Sequence, residues 1–95
     1  MKNIEDIQKY LESNKVTPFW SATAMVWIRR VMAGNKFFVN SVSNPRIRVS
    51  DGYVSRFQCD VTTTIPDSGK KAKARILYTF NPTAASAHYV DISAA

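Results

Sequence analysis

The sequence predicts an α+β protein. N-terminal helices pack on one face of a curved antiparallel sheet of four to five strands, connected as a meander. Three observations carry this prediction. Apolar residues recur at helical spacing from Ile4 to Val31. After Gly34 the spacing becomes two and stays so nearly to the C-terminus. Short turn-forming stretches at 50–52, 66–69 and 81–85 separate the alternating runs.

Asn3 is placed to cap a first helix over about 4–14. Glu5 and Asp6 in its first turn suit the positive end of the helix dipole. Ile4, Ile7 and Leu11 form its apolar stripe. Thr17-Pro18 then reads as a cap followed by a first helical residue. The second helix is expected to end at Ala33, with Gly34 just past it. Trp20, Ala24, Trp27, Ile28 and Val31 share one arc of that helix, widened by Met25 and Met32. A stripe of this width is a core face.

The strand pattern follows. Phe37 to Val42 is a first run, and Ile47 and Val49 alternate with Arg46 and Arg48 in a second. The two are either separate strands or one strand bent at Asn44-Pro45. Tyr53, Phe57, Cys59, Val61 and Ile65 define a long third run. Ala72, Ala74, Ile76, Tyr78 and Phe80 define a fourth, and His88, Val90 and Ile92 a fifth. A two-residue turn at Asp51-Gly52 would set apolar against polar positions. A three-residue loop, Ser50-Asp51-Gly52, with Gly52 at positive φ is therefore expected. The loop at 66–69 pairs Val61 with Ala74, Cys59 with Ile76 and Phe57 with Tyr78. A loop at 81–85 pairs Tyr78 with His88, Ile76 with Val90 and Leu77 with Tyr89. On the other face Arg75 then falls between Asp60 and Asp91, a charge ladder that helps to hold register.

Helices followed by a meander, with the helical layer on one side of the sheet, is an order that resembles cystatin-like and short NTF2-like folds. The resemblance covers most of the chain as element order and alternation. No residue motif of either family is present, so it assigns no site residue.

Ninety-five residues suit one domain and one small core. Apolar types at 45% and charged types at 21% are those of a globular chain. The first six residues lack the apolar run of a signal peptide. The longest apolar run, Ala24 to Ile28, is far below the about 20 residues of a membrane span. A cytoplasmic protein without a membrane partner is the expectation. The net charge of +6 is uneven: residues 34–80 hold eight basic and three acidic groups.

Catalytic groupings are scarce. Cys59 and His88 are the only residues of their kinds, and the expected register holds them roughly 12 Å apart. A Cys–His dyad needs hydrogen-bond contact. Asp60 and Asp91, paired with Arg75, make poor proton donors. No ligand spacing suggests a metal, and no glycine-rich loop suggests a phosphate-bound cofactor. The expectation is a protein that binds without catalysing and without a cofactor.

Two surfaces are candidates. The outward sheet face should display Arg48, Arg56, Lys73 and Arg75 around an apolar centre of Leu77 and Tyr89, with Arg46 and Lys71 beyond them. An apolar centre in a charged surround suits a protein partner or a second copy of the chain. The same basic face could bind nucleic acid, a weaker reading because it holds one aromatic ring, short of the stacking platforms of an RNA-reading sheet. The other surface is an aromatic pocket between the second helix and the sheet. Trp20, Trp27, Phe57, Tyr78 and His88 would line it for a small hydrophobic ligand, with His88 as its polar anchor.

Overall fold

The computed structural model describes residues 3–35 and 38–95. Two helices precede four strands: α1 (Glu5–Ser13), α2 (Pro18–Asn35), β1 (Phe38–Ser50), β2 (Tyr53–Thr64), β3 (Lys71–Phe80) and β4 (His88–Ala94). The strands form one antiparallel sheet in the order β1-β2-β3-β4, the expected meander under a helical layer.

Asn3 does cap α1, in a reciprocal arrangement. Its Oδ1 accepts from the Asp6 N–H at 3.2 Å, and Asp6 Oδ2 accepts from the Asn3 N–H at 3.2 Å. Both bonds satisfy donors that a helix start leaves over. Thr17 Oγ1 accepts from the Trp20 N–H at 3.3 Å and caps α2. The second helix runs past its expected end, because Gly34 stays within it and does not take the left-handed backbone of a terminating glycine.

The core lies between α2 and the inward face of the sheet. Ile7, Leu11, Ala24, Met25, Ile28 and Met32 from the helices meet Val54, Phe57, Cys59, Val61, Ile76 and Tyr78 from the strands. Among the described residues Ser21 and Thr63 are the buried polar ones. Ser21 Oγ donates within reach of Glu12 Oε1 and of the Pro18 carbonyl, both at 3.1 Å, and Thr63 Oγ1 donates to the Ala72 carbonyl at 3.2 Å. Neither hydroxyl is left without a partner, which would be costly in such a place.

The runs before and after Asn44-Pro45 are one bent strand. Phe37 lies outside the described residues. Within β1, Ser43 faces Asp60 and Arg46 faces Gln58, so Asn44 and Pro45 together oppose a single residue. Asn44 takes φ +52, and Pro45 has no N–H to give a ladder. A second irregularity sits at Asn40, where Val39 faces Thr63 and Ser41 faces Thr62. The extra residue at 44–45 reverses the alternation, which is how Val42 and Ile47 come to share the inward face.

The β1–β2 turn corrects the expected three-residue loop. Ser50 pairs with Tyr53, so the turn is the two residues Asp51 and Gly52. Both have positive φ, 48° and 80°, the backbone of a type I′ hairpin turn. The mismatch of faces is real, and a bulge repairs it. Val49 faces Val54 but Arg48 faces Arg56, leaving Ser55 as the extra residue. That bulge turns Val54 into the core and leaves Tyr53 half-buried at the hairpin end.

Between β2 and β3 the expected pairs are present: Val61 with Ala74, Cys59 with Ile76 and Phe57 with Tyr78. Between β3 and β4 the register is two residues from expectation. Phe80 faces His88, Tyr78 faces Val90, Ile76 faces Ile92 and Leu77 faces Asp91. The loop spans 81–87, where 81–85 was expected, and is closed by Phe80 facing His88. The Asn81 N–H donates to the Ala87 carbonyl at 2.9 Å, and Asn81 Oδ1 accepts from Thr83 N–H and Oγ1–H at 3.1 and 2.8 Å. A shift of two keeps every residue on its own face, so alternation alone cannot detect it.

Candidate functional site

The outward face reads as rows across the sheet. Arg48, Arg56, Thr79 and Tyr89 make one row. Arg46, Gln58, Leu77 and Asp91 make the next, and Ser43, Asp60, Arg75 and Ser93 the third. Thr62 and Lys73 face each other beyond it. The expected face residues Arg48, Arg56, Lys73, Arg75, Leu77 and Tyr89 are thus all on this side of the sheet. Leu77 and Tyr89 are diagonal neighbours, not the directly opposed pair expected, because of the two-residue shift. Tyr89 is 55% exposed and Leu77 is half-buried.

The charge ladder is correspondingly half-formed. Arg75 Nε donates to Asp60 Oδ1 at 3.0 Å. Asp91 faces Leu77 and Arg75 faces Ser93. Asp60 also accepts from Asn44 Nδ2 at 3.0 Å. The Asn44 amide first, and the Arg75 guanidinium beside it, hold the Asp60 carboxyl below the usual carboxylate range. The bulge at Asn44 is what carries that amide to the carboxylate.

Arg48 and Arg56 stand directly opposite each other on adjacent strands. Like charges in this position are destabilising. Arg46 flanks them, and Gln58 Oε1 accepts from Arg56 Nη2 at 3.4 Å. These side chains surround a hollow of about 250 Å³ lined by Arg46, Ile47, Arg48, Arg56 and Gln58. Among the described residues no carboxylate lies within ion-pair distance of these three arginines. Sequence alternation places Arg46 and Arg48 together, but Gln58 carries no charge and gives no signal of its own.

The predicted aromatic pocket is occupied by its own side chains. His88 stacks on Trp27 at 4.9 Å and 13° and on Phe80 at 4.5 Å and 24°. Trp20 packs on Phe80 at 5.0 Å and on Tyr53 at 6.0 Å. The Tyr78 hydroxyl lies 2.8 Å from His88 Nδ1. Burial raises the Tyr78 phenol to about 12 and lowers the His88 imidazole; which of the two donates follows the tautomer of the ring. Phe57 faces Tyr78 across the ladder and is fully buried, its ring against Tyr10 at 6.0 Å. Sequence reasoning missed Phe80 and Tyr53, which pack on Trp20, and the shifted register sets His88 directly opposite Phe80. An open groove of about 570 Å³ lies at the other end of the strands, against Ile4, Met32, Phe38 and Val39.

Cys59 is buried, and burial foremost, with Asp60 beside it, pushes its thiol up to about 12. It lies two strands and four residues from His88, roughly 17 Å at ordinary strand spacings. Among the described residues no three His, Cys, Asp or Glu side chains cluster to hold a metal ion. No described helix is long and apolar enough to cross a membrane. Compared with protein-family models, curated proteins and solved structures, the chain matches none.

Proposed function

We propose that this chain is a non-catalytic binding module that receives an acidic protein surface on the outward face of its sheet. One observation carries the reading. That face holds Arg46, Arg48, Arg56, Lys71, Lys73 and Arg75 against Asp60 and Asp91, and a single ion pair joins any of them among the described residues. The helices lie on the other face, so the charge stays in water. Leu77 and Tyr89 add an apolar contact inside the basic surround, the anatomy of a protein-binding patch.

Charge decides between an acidic partner and a second copy. Two copies meeting through this face would bring surfaces of the same sign together, which costs energy and slows association. The neutral, ring-stacked His88 and the buried, unionised Cys59 support the absence of catalysis. Their use as a nucleophile and base would need contact that their strands do not give.

The test is anisotropy of a labelled poly-glutamate peptide at low salt, with single-stranded DNA of equal charge as the competitor. The peptide is expected to bind, and Arg56→Glu with Lys73→Glu is expected to abolish binding while leaving the unfolding midpoint in place. Absence of peptide binding at low salt overturns the reading, since charge attraction is greatest there. Preference for the DNA at equal charge replaces it with a nucleic-acid function. Sedimentation at two concentrations checks the alternative of self-association, which Leu77→Lys would abolish.

A further inference from the structure

We infer that the hollow bounded by Arg46, Arg48, Arg56 and Gln58 is a binding site for a phosphomonoester, carried as a phosphorylated serine or threonine on the acidic protein partner. The inference rests on the proposed function and deepens it to one chemical group.

Four observations lead there. The arginines are held on a short stretch of regular ladder, Arg46 with Gln58, Ile47 with Phe57 and Arg48 with Arg56. A bulge closes that stretch at each end, Asn44-Pro45 on β1 and Ser55 on β2. Bulges curl a sheet and re-aim side chains, and they concentrate where a surface is used. Ile47 lies between Arg46 and Arg48 with its side chain on the inward face, paired with the fully buried Phe57, so the ladder beneath the arginines is anchored in the core.

Second, none of the three arginines is ion-paired with a carboxylate among the described residues. Arg48 faces Arg56 and not an acid. Asp60, in the next row of the face, is already engaged by Asn44 and Arg75 at 3.0 Å each. It acts on Arg46 only at longer range. Asp91 shares the row of Arg46 and Gln58 but lies two strands beyond Gln58, roughly 10 Å away.

Third, the donors suit the group. Guanidinium forks bind tetrahedral phosphate oxygens in pairs. Gln58 spends its Oε1 on Arg56, which leaves its amide N–H groups as further donors. Fourth, the charge count favours a dianion. Three guanidinium groups around one hollow outweigh a single carboxylate or a phosphodiester, each of charge −1. A phosphomonoester carries about −1.5 to −2 at neutral pH and three strong acceptor oxygens. The hollow of about 250 Å³ admits one such group and not a drug-sized ligand.

The test uses three labelled peptides of one acidic sequence with serine, glutamate or phosphoserine at the centre, titrated at physiological salt. The phosphoserine peptide is expected to bind about tenfold more tightly than the serine peptide, the effect of one to two added charge-assisted bonds. The glutamate peptide is expected to recover little of this. Arg48→Gln with Arg56→Gln is expected to erase the preference without lowering the unfolding midpoint. Lys73→Gln, on the same face outside the hollow, is expected to weaken all three peptides alike. Inorganic phosphate is expected to displace the phosphoserine peptide more effectively than chloride at equal ionic strength.

Equal affinity of the serine and phosphoserine peptides overturns the inference, and if both still bind, the acidic-surface reading stands without it. A preference that survives Arg48→Gln with Arg56→Gln places the phosphate elsewhere and also overturns it. Single-stranded DNA that binds more tightly than the phosphoserine peptide at equal charge, and loses that affinity in the same variant, reassigns the hollow to phosphodiesters and overturns both.

Discussion

Replacing Gly52 with alanine tests how the hairpin end is tied to the helical layer. Gly52 has φ +80, where a side chain is strained. An ideal Cβ there would stand 2.9 Å from Thr17 Cγ2. Thr17 cannot turn aside freely, because its Oγ1 caps α2 through the Trp20 N–H. Its own N–H donates to the Gly52 carbonyl at 2.9 Å, which fixes the two backbones against each other. The left-handed backbone costs a non-glycine residue about 1–2 kcal/mol. Losing the cap as Thr17 rotates costs a further amount of about 0.5–2 kcal/mol. Gly52→Ala is therefore expected to destabilise the protein by about 1.5–4 kcal/mol, a large share of a small domain's stability. Thr17→Ser keeps the capping oxygen and removes the clashing methyl. In that background Gly52→Ala is expected to cost only the backbone strain, about 1–2 kcal/mol. Urea unfolding followed by tryptophan fluorescence gives all four corners of the cycle. An equal cost of Gly52→Ala in both backgrounds would refute the steric coupling, and a cost below about 0.5 kcal/mol would refute the backbone strain as well.

Other expectations follow from the same geometry. His88 is held neutral by burial, below its ordinary value of 6.5. Between that lowered value and 6.5 the unfolded chain binds more protons, so stability should fall as pH drops through this window. His88→Phe should flatten that slope in urea midpoints measured across it, while costing stability because the Tyr78 hydroxyl loses its hydrogen-bond partner; Tyr78→Phe added to it should recover the loss. A slope unchanged by His88→Phe would exclude the imidazole as its source. Arg56→Thr should stabilise the protein by about 0.2–1 kcal/mol at low salt by removing a like-charged cross-strand pair, and added salt should shrink the gain. A loss of stability would mean that Arg48 and Arg56 support the sheet. Cys59 should resist a thiol reagent in the folded protein and react on unfolding; rapid native labelling would contradict its burial and raised pKa.

Much of this arrangement was legible in the residues. The second helix and its buried arc followed from the spacing of Trp20, Ala24 and Ile28. The β2–β3 register followed because the loop at 66–69 allowed one pairing that matched faces. Where alternation was blind, the reading failed. The shift of β4 by two residues leaves every face intact, so nothing in the pattern of His88, Val90 and Ile92 separates the two registers. What separates them is the hydrogen bonding of Asn81 across its own loop. The tight turn at Asp51-Gly52 was masked for a different reason. Its cost in mismatched faces is cancelled by one extra residue at Ser55, a serine like any other in a strand. The basic outward face could be read from Arg46, Arg48 and Arg56. That the last two stand opposite each other depends on the same bulge, so the hollow between them was out of reach.

The irregularities of β1 have an effect beyond the hollow they frame. An open sheet grows by recruiting strands at its margins, and a fibre needs two usable margins on every copy. Here the β1 margin is spoiled by a proline without an N–H and by kinks at Asn40 and Asn44-Pro45. The β4 margin is regular, with unbroken pairing to β3 from His88 to Ala94. Strand recruitment is thus one-sided. Two copies joined through β4 would consume both good margins and present only spoiled ones, so polymerisation by this route terminates at a pair.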